Sequence, residues 1–151
     1  LMKTPDGVKV IEFNARFGDP ETEVVLPLLE SDAYDVFYGI ATGEIVNGTL
    51  SNSKLLWRKE ATIGVVLASK GYPGDYAKGA VIEGVELFDG PVFHMGTKND
   101  NGVLKTNGGR VMMCIATGKD IAEAQAKVYK EIEKIHCDNL FYRKDIAHWA
   151  L

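Results

Sequence analysis

Apolar and polar positions follow two different grammars along this chain. The first stretch, LMKTPDGVKVIEF, reads as a β-hairpin, with Pro5-Asp6-Gly7 as the turn and Val8 to Phe13 as the returning strand. The alternation runs on beyond it. Ile11, Phe13 and Ala15 are expected to face a core, and Glu12, Asn14 and Arg16 to share the other face at about 6.8 Å spacing. Asp19 is placed to cap a helix that has Pro20 at its first position and Glu21 and Glu23 in its first turn, with Pro27 ending or kinking it. A second helix is predicted from Asp32, because Ala33, Val36, Phe37, Ile40 and Ala41 fall at helical spacing and Gly43 supplies a stop. Residues 44–54, with Asn47-Gly48 and SNS, read as a turn-rich connector between two units.

After the connector the period changes. ATIGVVLAS reads as a strand, KGYPGDYAKG as a long turn, and VELFDGPVFHMGTK as a hairpin around Asp89-Gly90-Pro91. Two further strands are expected around Asn107-Gly108-Gly109, a turn that in isolation reads most simply as a hairpin. One long helix closes the pattern. Asp120 and Glu123 make a capping pair, and Ile121, Ala124, Val128, Ile132 and Ile135 keep one face apolar. Strands first and helix last make the fold class α+β, with residues 1–50 as one unit and 51–151 as the other.

Composition sharpens this outline. A chain of 151 residues with 46% hydrophobic content can fill a globular core. Its net charge of -4 offers no basic surplus for a phosphate backbone, which disfavours a nucleic-acid partner. No apolar run is long enough to span a bilayer, and no signal peptide is visible, so neither a membrane nor a secretory route is expected. Cys114 and Cys137 lack the spacing of a metal knuckle or a disulfide framework and read as reduced thiols of a cytoplasmic protein. His136 and His148 have no metal-ligand spacing, and His94 reads as a packed, hydrogen-bonded strand residue. Because the chain starts at Leu1, it is expected to be a piece of a longer one.

The Glu12, Asn14, Arg16 stripe carries the chemistry. Magnesium takes oxygen ligands, often one or two from protein and the rest from phosphates and water, and a carboxylate beside an amide carbonyl meets that demand. Arg16 could hold a phosphoryl group or a carboxylate with its planar fork of donors. A strand with one wet face shows the same alternation, so the stripe by itself leaves both readings open. GYPG from Gly71 to Gly74 is likewise either a plain turn or a place where bare backbone approaches a substrate.

The longer stretch EFNARFGDPETEVVLPLLESD resembles the ATP-grasp ligases and, within them, the glycinamide ribonucleotide synthetase family of phosphoribosylamine-glycine ligases. The resemblance extends in order through ASKGYPGDYAKG, VFHMGT, TNGGRV and FYRKDIA, and so covers almost the whole chain. It implies a cytoplasmic enzyme of purine biosynthesis that joins glycine to 5-phosphoribosylamine through glycyl phosphate, converting ATP to ADP and phosphate. It also implies that residues 1–50 are the end of an ATP-grasp domain and 51–151 a small β-rich carboxy-terminal domain with one long helix. Glu12 and Asn14 match the family's Mg2+ or Mn2+ pair, with Asn14 beside the ATP phosphates. Arg16 would stabilise the acyl phosphate or the tetrahedral species, and Asp19 and Glu21 would orient the loop or touch the amine substrate. Gly108, Gly109 and Arg110 would face the active cleft, with Arg110 on a phosphate.

Two departures stand out. In DIAHWAL, Ala147 and Trp149 occupy positions where the family leads one to expect a glycine and a basic residue. The glycine-rich phosphate loop, the ATP lysines and the adenine pocket would all lie in a missing amino-terminal part of the same enzyme, so the chain alone is expected to be inactive. Two rival readings are a biotin-dependent type of ATP-grasp carboxylase, which also uses a Glu-x-Asn-x-Arg strand, and a non-catalytic docking module.

Overall fold

The computed structural model describes residues 1–13, 15–46, 49–50 and 53–151. Strands β1 (Met2–Thr4) and β2 (Gly7–Lys9) form the expected hairpin with Lys3 opposite Val8, and Gly7 takes φ +101°, a conformation open to glycine. The returning strand stops at Lys9. Residues 10–13 have no strand assignment, and Ile11 and Phe13 are exposed, so the buried scaffold expected beneath Glu12 and Arg16 is not formed. A two-stranded ribbon gives its extension no third strand to pair with and no layer to pack on. Asn14 lies outside the described residues.

Helix α1 (Thr22–Val25) is one turn long and passes into a 3-10 turn at Leu26–Leu28, where Pro27 ends the α-helical hydrogen bonding. Its N-cap is Glu21, which makes no side-chain capping bond. The expected cap, Asp19, is therefore corrected: Pro20 lies in the preceding turn and the Asp19 carboxylate is engaged elsewhere. Helix α2 (Ala33–Thr42) follows the sequence closely. Asp32 Oδ1 accepts from Tyr34 N at 2.8 Å, and Gly43 closes the helix at φ +77°. Only Val36 and Gly39 of this helix are buried. The connector holds three short antiparallel strands, β3 (Ile45–Val46), β4 (Thr49–Leu50) and β5 (Ser53–Lys54), in that spatial order. Its Asn47-Gly48 and Ser51-Asn52 turns lie outside the described residues.

The rest of the chain contains β6 (Ala61–Ser69), a 3-10 turn at Val85–Leu87, then β7 (Val92–His94), β8 (Thr97–Asp100), β9 (Val103–Thr106) and β10 (Arg110–Gly118). Helix α3 (Ile121–Ile132), strand β11 (Leu140–Phe141) and a last 3-10 turn at His148–Ala150 complete it. One antiparallel sheet runs β11-β6-β10-β7, and β8 pairs only with β9. Two expected hairpins are thereby corrected. Residues 85–87 coil into the 3-10 turn, so β7 pairs with β10, with His94 opposite Met112. Asn107-Gly108-Gly109 joins strands of different sheets. The hairpin actually present is β8–β9, turning at Asn101 (φ 52°) and Gly102 (φ 87°), the Asn-Gly signature of a type I′ turn.

The long central strands explain their own composition. Ile63, Val65 and Leu67 of β6 and Met112, Cys114 and Ala116 of β10 pack with Ala124, Val128 and Ile132 of α3 on one face. On the other face, Met113 and Ile115 are buried near Val24 of α1. A strand covered on both faces reads as a continuous apolar run. Gly64 lets α1 approach, since a Cβ there would lie 2.8 Å from Val24 Cγ1. Helix α3 starts as predicted, with Asp120 Oδ1 accepting from Glu123 N at 2.8 Å.

Candidate functional site

The turn before α1, α1 itself and the turns around β10 converge on a cleft of about 670 Å3. Asp19 and Glu23 line it on one side, and Tyr72, His94–Thr97 and Asn107–Arg110 on the other. A β-bulge shapes this wall: Arg110 lies opposite Ala68 and Met112 opposite Leu67, which leaves Val111 as the extra residue. The Val111 carbonyl then accepts from both Met95 N (3.0 Å) and Gly96 N (2.9 Å), tying the β7–β8 connection to β10.

The Asn107-Gly108-Gly109 turn is held from below by Ser69, which is fully buried. Its Oγ donates to Gly108 O, and its N–H to Gly109 O, both at 2.8 Å. Bare backbone is required here. A Cβ on Gly96 would lie 2.8 Å from Gly108 Cα, and a Cβ on Gly109 would enter the Tyr72 ring. Tyr72 therefore sits on Gly109 as one wall of the cleft.

Arg110 forks onto Asp19, with Nη1 to Oδ1 at 3.0 Å and Nη2 to Oδ2 at 2.8 Å. This bidentate pair fixes the plane of the guanidinium and joins the turn before α1 to the sheet. Glu23 differs, because its Oε2 is buried and has no hydrogen-bond partner among the described residues. His94 Nδ1 lies 3.0 Å from Thr97 Oγ1; the residue is hydrogen-bonded as expected but exposed, which corrects the expectation that it is packed away.

Of the residues singled out in the sequence, Asp19, Gly108, Gly109 and Arg110 meet in this cleft. Glu21 is exposed at the start of α1 and does not line it. Arg16 is exposed, with Nη1 donating to Phe17 O at 2.9 Å, and Glu12 is exposed in the irregular segment after β2. Glu23, Tyr72 and His94 are cleft residues that sequence reasoning placed elsewhere. The available signals were the second acid of ETE and the aromatic inside GYPG.

No group of three or more His, Cys, Asp or Glu residues that could hold a metal ion occurs among the described residues. The Glu12 carboxylate is exposed, as a ligand to a hard cation that takes its remaining oxygens from phosphate and water must be. Among the described residues, no helix is long and apolar enough to cross a membrane.

A helix-backed antiparallel sheet with a polar, arginine-bearing cleft at one edge defines an α+β domain. The chain belongs to the family described as phosphoribosylglycinamide synthetase, C domain, which matches residues 62–149. It is 51% identical to the phosphoribosylamine–glycine ligase of Halalkalibacterium halodurans, over 100% of this chain and 34% of that protein. With the same-named ligase of Caldanaerobacter subterraneus subsp. tengcongensis it shares 46% identity over 97% of this chain and 34% of the relative. A crystal structure of phosphoribosylamine–glycine ligase from Thermotoga maritima superposes with a TM-score of 0.79 at 36% identity, over 97% of this chain and 35% of that one. The chain thus spans about a third of the length of the curated relatives it matches and corresponds to their carboxy-terminal part.

Proposed function

We propose that this chain is the carboxy-terminal part of an ATP-dependent carbon–nitrogen ligase of purine biosynthesis, acting in the cytoplasm. In this reading ATP transfers its terminal phosphoryl group to the carboxylate of glycine, giving ADP and glycyl phosphate. The amine of 5-phosphoribosylamine then attacks the activated carbonyl, the new C–N bond forms, and phosphate leaves as glycinamide ribonucleotide is released. The observation that carries the proposal is the 51% identity to a phosphoribosylamine–glycine ligase along the whole chain.

The residues take the following roles. Glu12 and Asn14 would hold Mg2+ or Mn2+, which when bound offsets the charge of the ATP phosphates. Arg16 and Arg110 supply guanidinium donors for the acyl phosphate or the sugar phosphate, and Asp19 orients Arg110 through its fork. Gly108 and Gly109 bring bare backbone to the substrate, and Glu21 steadies the loop before α1. Residues 1–50 are read as the end of the ATP-grasp domain and 51–151 as the carboxy-terminal domain. ATP lysines and the adenine pocket belong to the amino-terminal remainder of the parent enzyme, so the present chain alone does not turn over.

The test is ADP release by the uninterrupted parent enzyme, with and without glycine and phosphoribosylamine, comparing the wild type with Glu12→Gln. ADP that requires both substrates and disappears in the variant supports the reading. ADP release indifferent to glycine favours a carboxylase-like substrate, and survival of activity in Glu12→Gln removes the metal role.

A further inference from the structure

We propose that Glu23 is a substrate-binding residue whose carboxylate receives the primary amino group of a substrate in the cleft. The inference rests on the ligase reading above, which supplies two amine-bearing substrates, but its starting point is an imbalance in the cleft itself. Asp19 and Glu23 are its two carboxylates and Arg110 its one cationic side chain other than a histidine. Asp19 and Arg110 satisfy each other through two hydrogen bonds, so their charges cancel locally. One carboxylate remains. Its Oε2 is buried without a hydrogen-bond partner among the described residues, a condition that costs free energy unless a cation or donor completes it.

Much of the opposite wall is already engaged. His94 shares its Nδ1 with Thr97, the N–H groups of Met95 and Gly96 go to Val111, and Asn107 N goes to Gly96 O at 2.7 Å. The Tyr72 ring lies against the bare face of Gly109. An ammonium group entering the 670 Å3 cleft matches what is missing: a compact charge with three donors, able to reach Glu23 while leaving the Asp19–Arg110 fork intact. Glycine carries such a group as a full cation, and phosphoribosylamine offers a neutral glycosylamine NH2 with two N–H donors. The shared chemistry is a primary amine, and the arms below separate the two sources.

The experiment uses the full-length parent enzyme, wild type and Glu23→Gln. The first readout is binding of glycinamide, which has the ammonium but no carboxylate and needs no turnover. The second is the KM of glycine, phosphoribosylamine and ATP measured separately. The expected result is glycinamide binding weakened about tenfold or more, as for a lost charge-assisted hydrogen bond. One amine substrate should show a KM increase of similar size, with the KM of ATP unchanged. An increase for glycine alone assigns the site to the amino acid, and an increase for phosphoribosylamine alone assigns it to the glycosylamine.

Equal glycinamide binding by the two proteins, absence of binding by the wild type, or parallel increases in all three KM values would overturn the proposal. If Glu23→Gln fails to fold, Glu23→Asp keeps the charge on a shorter arm and must show the same selective loss in smaller measure. Should the wild type release ADP without needing glycine and phosphoribosylamine, the ligase reading falls on its own, and glycinamide binding still decides the role of Glu23.

Discussion

Arg110 illustrates how two weak signals combine in one residue. Its side chain is 35% exposed and that of Asp19 is 51% exposed, so the ion pair between them is worth at most about 1 kcal/mol of stability. Geometry is its larger contribution, because the fork fixes where the guanidinium faces the cleft. Arg110→Lys in the parent enzyme is therefore expected to lower kcat/KM about ten- to a hundredfold, with thermal stability nearly unchanged. A stable variant with full turnover would reduce the pair to a clamp between units. Cys114 gives a second residue-scale prediction. Burial pushes its thiol up to about 12 from an ordinary 9.0. Between those values the unfolded chain has released a proton that the folded chain still holds, so stability falls as pH rises through this window and is unaffected below it. The melting temperature should fall from pH 9 to pH 11, and less steeply in Cys114→Ala; identical slopes would contradict this. Glu23 was legible in the sequence only as a helix-dipole acid, because a sequence does not show which of its polar atoms will lack a partner.

Among the elements, α3 was the most legible. Its apolar spacing and its N-cap follow from contacts within four residues, and the structure keeps both, but the helix ends at Ile132 and so leaves the expected Ile135 outside it. Two substitutions separate local from tertiary support. Asp120→Ala removes the bond to Glu123 N and should cost about 1 kcal/mol. Ile132→Ala, at a side chain 2% exposed against the sheet, should cost about 2–5 kcal/mol. Urea denaturation reads both, and a larger loss from the cap would mean that the helix is held by its ends rather than by packing. Strand pairing was much less legible. The Asp89-Gly90-Pro91 and Asn107-Gly108-Gly109 stretches are good turns, but pairing is decided by which edges are free in three dimensions. β10 had both β6 and β7 beside it, and β9 was taken by β8.

The whole molecule shows an uneven distribution of burial. Beyond residue 60 a closed core surrounds β6, β10 and α3, while in the first 57 residues Val8, Ile11, Phe13, Phe17, Phe37 and Ile40 remain exposed. Hydrogen exchange on the isolated chain should accordingly be orders of magnitude slower in β6, β10 and α3 than in residues 1–13. Comparable protection in both would show that the hairpin is held by more than its own pairing. The same chain mixed with ATP, glycine and phosphoribosylamine should release no ADP, and measurable turnover would overturn the assignment of nucleotide binding to the rest of the parent enzyme.

The α+β class, helices α2 and α3 with their N-caps, the long strands β6 and β10, and the family resemblance follow from the order of residues alone. All of these are written in short-range periodicity or in motifs read in order. Only the packed fold decides that Asp19 reaches Arg110 across 91 positions instead of capping a helix, that Val111 bulges beside Arg110, and that Glu23 Oε2 is buried without a hydrogen-bond partner among the described residues. Each of these depends on which distant backbone comes close. Local pattern carries no information about that, because hydrogen-bond partners and desolvation are fixed only once the layers have packed.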